Sequence, residues 1–153
     1  MQQIVAFSPE HFDAIEWQES QQAGQVLFQR EWIDDIIASG TAQSLVDGDG
    51  SVIACAGLIP TRILRVANGP DQVQESIAWA IFSPRLPYHA KTIIKALRAV
   101  LDDRPETRIE AYVDAGQPKA AAFLGRLGFA YERTLSEPTP DGRTLHLFAR
   151  VRG

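Results

Sequence analysis

The sequence has few of the features that define several large classes of protein. Its one cysteine, Cys55, cannot form an internal disulfide. Because Cys55 lies in the apolar run VIACAGLI, we expect a buried, unreactive thiol rather than a nucleophile. No apolar run approaches the ~18 residues that a membrane span needs. The first residues lack a basic segment followed by an apolar one, so we expect no secretory signal, no membrane partner and a cytoplasmic location.

Positive charge and metal-ligand spacing are also scarce. The chain has 15 lysines and arginines against 19 aspartates and glutamates, which gives a net charge of −4. A nucleic-acid-binding face would need a basic surplus, so we expect no nucleic-acid partner. The three histidines are scattered without the spacing of metal ligands, and we expect no metal site. Ser83 lacks the sequence context of a nucleophile elbow, so a hydrolase triad has no support.

The length of the chain predicts one domain, residues 1–153, and hydrophobic periodicity predicts the element order β-α-α-β-β-β-α-β-α-β-β. Because parallel strand pairs need crossover helices, this order predicts an α/β domain with a mixed sheet and helices on both faces. Pro60 is expected to interrupt the third strand or to mark a bulge. The predicted strands are 3–7, 41–47, 51–63, 75–82, 109–114, 129–137 and 143–151. Four helices are predicted. The first starts at Ser8-Pro9, and the second follows Gly24 and ends at Ser39-Gly40. The third, the long helix, starts at 90–92 and has its apolar face at 93–101, and the fourth covers 118–127.

The stretch 108–129 carries the clearest local signals. Pro118 suits a first helical position, where its missing N–H has no cost. Gly128 is placed to end that helix in a left-handed conformation, and Phe129 enters the next strand. In the last strand, apolar residues are expected to alternate with the rest, with one face formed by Leu145, Leu147, Ala149 and Val151.

This element order, the long helix at 93–101 and the LGF sequence at 127–129 resemble the GCN5-related N-acetyltransferase (GNAT) superfamily. The resemblance implies a mixed, mostly antiparallel sheet, acetyl-CoA as co-substrate, and acetyl transfer to a small-molecule or peptide amine. Gln117 stands where the family often has asparagine, and Leu124 stands where it often has a general-acid tyrosine. The residues that match the loose late motif of the family are Val113, Ala115, Ala120, Gly128 and Phe129.

The resemblance also implies where acetyl-CoA would bind. The backbone N–H groups of the central strand, at Ile81, Phe82 and Ser83, would hold the thioester arm. The start of the long helix would hold the pyrophosphate, because a helix start offers free donors and a positive dipole end. The loop before this helix lacks the glycines of the family. The residues expected at the pyrophosphate or supplying positive charge near it are Arg85, His89, Ala90, Lys91 and Thr92, with Gln117 as a further contact.

Two residues are candidates for proton transfer. Glu75, at the start of the strand that leads to the cofactor loop, could take a proton from the amine. Its alternative, an exposed carboxylate at a strand start, is favoured because Glu75 lies outside the apolar part of the strand. Tyr131 could replace the missing tyrosine as general acid, although packing on a sheet face is the favoured interpretation. Tyr88 is a second candidate for the acid, or a cap over the helix start.

Two functions remain open at this stage. The first is acetyl transfer from acetyl-CoA. The second is a catalytically inactive GNAT-fold protein with a binding or structural role. This alternative stays open because the loop glycines and the tyrosine are missing. The sequences WIDDIIASG, DGDGSVIACAGL and KALRAVLD also resemble GNAT-like proteins of tailed phages and prophages, some of which are virion-associated. Exposed sheet edges could pair two copies, which makes a homodimer an open alternative.

Overall fold

The structure is a computed structural model that describes residues 2–18, 32–38, 41–137 and 142–152. Its strands are β1 (Gln3–Ala6), β2 (Gln43–Val46), β3 (Val52–Leu64), β4 (Gln72–Phe82), β5 (Arg108–Asp114), β6 (Ala130–Thr134) and β7 (Leu145–Val151). Its α-helices are α1 (Pro9–Ala14), α2 (Trp32–Ala38), α3 (Ala90–Asp102) and α4 (Pro118–Arg126), and a short 3₁₀ helix covers Leu86–Tyr88.

The seven strands form one sheet in the order β1-β2-β3-β4-β5-β7-β6. β4 and β5 are parallel, with Glu75 opposite Arg108, and α3 lies between them in the chain. The pairs β1–β2, β2–β3, β5–β7 and β6–β7 are antiparallel. The predicted α/β class with a mixed, mostly antiparallel sheet is therefore confirmed.

The chain divides into two compact units. The first comprises Met1–Ile59 with Ala78–Ile93, and the second comprises Pro60–Ile77 with Ile94–Gly153. That residues 1–153 form a single domain stays a prediction.

The first unit has a hydrophobic core in which α2 and the segment after α1 contribute buried apolar side chains beside those of β3 and β4. Cys55 lies in this core with 0% exposure, and its thiol contacts the hydroxyl of Ser44 at 3.4 Å. Burial raises the pKa of Cys55 to about 11. The expected burial of the thiol is confirmed, and its lack of reactivity stays a prediction. The buried members of the core cluster are Phe7, Ile15, Trp17, Ile33, Ile36, Ala42, Val52, Cys55 and Ile81.

In the second unit, α4 begins and ends as its sequence predicts. Pro118 occupies the first turn, and Gly128 has φ +92°, a left-handed conformation that glycine adopts without strain. The N–H of Phe129 donates to the carbonyl of Leu124 at 3.0 Å, which closes the helix end. Leu127 and Phe129, on either side of the glycine, are both buried.

Several predicted boundaries differ from the structure. Pro60 does not interrupt β3, which continues to Leu64, and it lies beyond Ala56, where the register with β2 ends. In β7, Val151 is 63% exposed and Phe148 is buried, against the expected alternation. The buried residues are consecutive, 147–149, so both faces of the middle of β7 are covered, whereas Val151 lies at the exposed end. β6 is shorter than the predicted 129–137. The part of the predicted second helix before residue 32 lies outside the described residues.

Candidate functional site

The connection from β4 to α3 is tied down by hydrogen bonds at Ser83, which is 3% exposed. The N–H of Ser83 donates to the carbonyl of Ile53 at 2.9 Å, and its hydroxyl accepts from the N–H of Arg85 at 3.2 Å. Gln18 donates its backbone N–H to the carbonyl of Phe82 and its side-chain amide to the carbonyl of Ser83, at 3.0 and 3.1 Å. The N–H of Ser83 is therefore engaged. A thioester-holding role for the N–H groups of Ile81 and Phe82 stays a prediction.

Arg85 is held by the turn between β2 and β3. Its guanidinium lies 2.5 Å from a carboxylate oxygen of Asp47 and 3.6 Å from one of Asp49. The pKa of Asp49 is lowered, chiefly by a hydrogen bond from the backbone N–H of Ser51. Two carboxylates thus balance the charge that the sequence offered as support for a phosphate. The acidic turn DGDG could have suggested a partner for a cation. Nothing in its spacing pointed to Arg85, which lies 38 residues from Asp47.

The start of α3 carries free backbone donors. The first hydrogen bond of the helix runs from the N–H of Ile93 to the carbonyl of His89 at 3.0 Å. The N–H groups of Ala90, Lys91 and Thr92 precede it and have no acceptor among the described residues, as expected for a helix start. Lys91 and Thr92 are exposed, and Ala90 is half-buried. Three donors and the positive end of a 13-residue helix form a site that suits an anion.

His89 caps this helix start and is itself oriented by a side chain from the N-terminal end of the chain. The amide nitrogen of Gln2 is hydrogen-bonded to Nδ1 of the His89 ring. The other ring nitrogen of His89, Nε2, has no hydrogen-bond partner among the described residues. The neighbouring Tyr88 is 86% exposed.

The two candidates for proton transfer belong to the second unit and lie apart. Glu75, on β4, has its carboxylate 3.9 Å from the guanidinium of Arg62 and is about one-third exposed. Tyr131 lies on β6, two strands beyond β5. At a spacing of about 4.8 Å per strand, the two residues are separated by roughly 14 Å across the sheet. One amine cannot contact both side chains.

Tyr131 is part of a hydrogen-bonded chain on β6 and β7. Its hydroxyl lies 2.8 Å from that of Thr134, which lies 2.8 Å from Nδ1 of His146. The Tyr131 ring also packs against those of His146 and Phe148, with centroids 5.3 and 5.9 Å apart. Tyr131 is 54% exposed. The favoured interpretation of this tyrosine, packing on the sheet, agrees with these contacts.

Gln117 is the N-cap of α4. Its N–H donates to the carbonyl of Asp114 at 3.0 Å, and its carbonyl accepts from the N–H groups of Ala120 and Ala121. Its side chain makes no capping hydrogen bond with the described residues. The amide is therefore free to contact a ligand, as the resemblance implied, and that role stays a prediction.

The predicted cofactor residues thus fall into two groups. Those of the β4–α3 connection form one continuous part of the first unit, namely Ile81, Phe82, Ser83, Arg85, His89, Ala90, Lys91 and Thr92. Gln117, Glu75 and Tyr131 belong to the second unit. The described ranges contain no group of three or more histidine, cysteine or acidic side chains that could hold a metal. Among the helices in these ranges, none is both long and apolar enough to cross a membrane.

Comparisons with known proteins identify the fold. No protein-family model matches the sequence, and no curated protein matches it. Solved structures do match over nearly the whole chain. Ard1 from Thermoplasma volcanium has a TM-score of 0.74 at 14% identity, with 98% of this chain and 97% of that chain covered. An acetyltransferase of the GNAT family from Bacillus anthracis has a TM-score of 0.63 at 12% identity, with 98% and 94% covered.

A third match is a mutant of the spermidine N-acetyltransferase SpeG from Vibrio cholerae. Its TM-score is 0.58 at 15% identity, with 97% of this chain and 94% of that chain covered. At such low identity the likeness concerns the fold. The chain has the GNAT fold, which it shares with an acetyltransferase of the GNAT family and with a spermidine N-acetyltransferase.

Proposed function

We propose that the protein transfers an acetyl group from acetyl-CoA to an amine. The observation that carries this proposal is the start of α3, where the N–H groups of Ala90, Lys91 and Thr92 have no acceptor among the described residues. The likeness to structures of an acetyltransferase and a spermidine N-acetyltransferase supports it. In this proposal these three N–H groups bind the pyrophosphate, and Lys91 adds an exposed positive charge. The ring of His89 adds a polar atom, Nε2, that has no partner among the described residues.

The chemistry needs one proton to leave the amine. Bound acetyl-CoA would supply the thioester carbonyl that the amine nitrogen attacks, so that an N–C bond forms, the C–S bond breaks and CoA leaves as a thiol. Glu75 is the residue proposed to take the proton from the amine, directly or through a water. Because its carboxylate is partly exposed, it can pass the proton to solvent. The Arg62 guanidinium lies 3.9 Å from this carboxylate. Much of the catalysis would come from positioning the two reactants.

The general acid for the departing thiol is less well defined. Leu124 cannot supply a proton, and Tyr131 lies roughly 14 Å from Glu75 across the sheet. Because the attacking nitrogen and the departing sulfur are bonded to the same carbon, Glu75 and Tyr131 are alternatives. We propose Tyr131 as the acid only in the scheme in which Glu75 is not the base. Tyr88 remains an alternative beside the helix start.

A titration with cofactor tests the proposal. Acetyl-CoA at a hundredfold excess over its Kd should stabilise the protein by ~2.7 kcal/mol, which a thermal-shift measurement detects easily. A panel of amines, including a polyamine and a peptide α-amine, should then reveal thiol release above the rate of thioester hydrolysis. The transferase proposal fails if millimolar acetyl-CoA and CoA give no stabilisation.

The second candidate, a GNAT-fold binding or structural protein, has one specific observation in its favour. Arg85 is neutralised by Asp47 and Asp49, so the loop has less positive charge than its sequence suggested. Stabilisation by CoA without turnover of any amine would favour this candidate. A phage origin and virion association belong to the same proposal, and neighbouring virion genes would support them. Under the first proposal, the protein is an enzyme of the cytoplasm.

A homodimer is also proposed, through the edge of the sheet. β6 is the last strand of the order and all five of its residues are exposed. An open strand edge is a template for pairing with a second copy. Sedimentation velocity over a concentration series tests this, and a monomer at every concentration contradicts it.

A further inference from the structure

A cavity of about 340 Å³ lies in the second unit, at the end of α3 and β7. It shares no residue with the β4–α3 connection or with the proton-transfer candidates. Its size is at the lower end of the range for small-molecule sites, roughly 300–1,000 Å³. The cavity is lined by Leu101, Asp102, Arg104, Glu106, Ile109, Gly128, Arg150, Val151 and Arg152.

Three arginines and two acids line this cavity, which gives it a net charge of +1 in a chain of net charge −4. The arginines are positioned by the structure rather than loose on the surface. Arg104 donates from Nε and Nη2 to Glu106, whose side chain is completely buried. Arg150 pairs through Nη2 with Asp102, and Arg152 donates from Nη1 to the carbonyl of Arg104 at 3.1 Å.

After these contacts, some guanidinium N–H groups of the cavity remain without an acceptor among the described residues. Arg152 has no carboxylate partner among the described residues, and the contacts of Arg150 use one of its three nitrogens. Asp102 is 61% exposed, so its pair with Arg150 is weak and easily exchanged for another anion. Glu106 is not exchangeable, because it is buried with Arg104. The planar fork of a guanidinium suits an oxyanion that accepts several hydrogen bonds.

We propose that this cavity binds a phosphate group, free or carried by a small metabolite. A phosphate offers several acceptor oxygens to the three guanidiniums that line the cavity, whereas a monocarboxylate can satisfy one fork. Gly128 contributes by lacking a side chain, since a Cβ there would lie 3.0 Å from Nε of Arg150. The site is independent of acetyl-CoA, because none of its residues belongs to the proposed cofactor loop.

Calorimetry with inorganic phosphate tests this, with acetate at matched ionic strength as the second ligand. Arg152→Gln is the main variant, because the described contact that it removes is one hydrogen bond to a backbone carbonyl. Losing a charge-assisted donor should weaken phosphate binding roughly tenfold or more. Arg126→Gln removes the same charge from an exposed position on α4 and should leave the affinity unchanged.

The possible outcomes separate the explanations. Saturable phosphate binding that Arg152→Gln and Arg150→Gln weaken, and Arg126→Gln does not, supports the site. A small organic phosphate that binds more tightly than inorganic phosphate identifies the carried form. No saturable binding overturns the proposal. So does equal phosphate affinity in wild type and in Arg152→Gln, because the Arg152 guanidinium would then not contact the anion.

Discussion

The ion pair between Arg104 and Glu106 is expected to be the most important single charge contact in the second unit. The Glu106 side chain has 0% exposure and receives hydrogen bonds from two nitrogens of Arg104, which is itself one-quarter exposed. The bond to Glu106 raises the pKa of Arg104, so the guanidinium stays charged. Replacing Arg104 by methionine keeps much of the side-chain length and leaves the Glu106 carboxylate buried without its cation.

The size of the effect follows from that burial. Removing one partner of a buried pair costs about 3–5 kcal/mol, because the remaining charge is uncompensated. For a chain of this length, each kcal/mol lowers Tm by about 2–4 °C, so Arg104→Met should lower Tm by roughly 6–20 °C. Replacing both residues by apolar ones of similar volume should recover much of the loss.

Urea unfolding followed by circular dichroism measures these differences, with Arg62→Met as the matched control. Arg62 pairs with Glu75 at 3.9 Å and is 72% exposed, so its replacement should cost less than ~1 kcal/mol. Equal losses for Arg104→Met and Arg62→Met would refute the reasoning. So would a double variant at Arg104 and Glu106 that is no more stable than the single one.

Three further predictions concern other parts of the chain. Cys55 should resist a thiol reagent at pH 8 in the native protein and react fully in urea, because burial raises its pKa to about 11; rapid native reaction contradicts this. Gly128→Ala should destabilise by ~1–2 kcal/mol, because its φ is +92°. Gly125→Ala, in open space on α4, should instead stabilise by ~0.5–1 kcal/mol, and unfolding measurements showing the same sign for both would contradict the argument. Arg85→Gln should change acetyl-CoA affinity by less than about fivefold, equivalent to ~1 kcal/mol, and a larger loss by calorimetry would mean that its charge reaches the ligand.

Features set by neighbouring residues could be predicted from the sequence. Pro118 and Gly128 specify a helix start and a helix end through their own backbone preferences, and both predictions are confirmed. The buried state of Cys55 followed from the apolar run around it in the same way. The start of α3 was predicted correctly at Ala90 to Thr92. It lies between the break at Ser83 to Pro87 and the apolar face that begins at residue 93, and these two local features limit where the helix can begin.

Features set by distant residues could not be predicted. The contact between Arg85 and Asp47 joins positions 38 apart, and nothing in the local pattern of either one names the other. The separation of Glu75 from Tyr131 depends on the strand order β5-β7-β6, which hydrophobic periodicity does not specify. The burial of Glu106 was missed because a single glutamate between Pro105 and Thr107 looks like an exposed loop residue.

The most direct test of the account is the affinity of acetyl-CoA for two variants of α3. Ala90→Glu puts a carboxylate beside the three free N–H groups, where it repels a phosphate and competes for its donors. Ala99→Glu places the same residue at an exposed position later in the helix. Calorimetry should show that wild type and Ala99→Glu bind acetyl-CoA alike and that Ala90→Glu does not bind it. Unchanged affinity in Ala90→Glu would contradict the assignment of the helix start as the cofactor site.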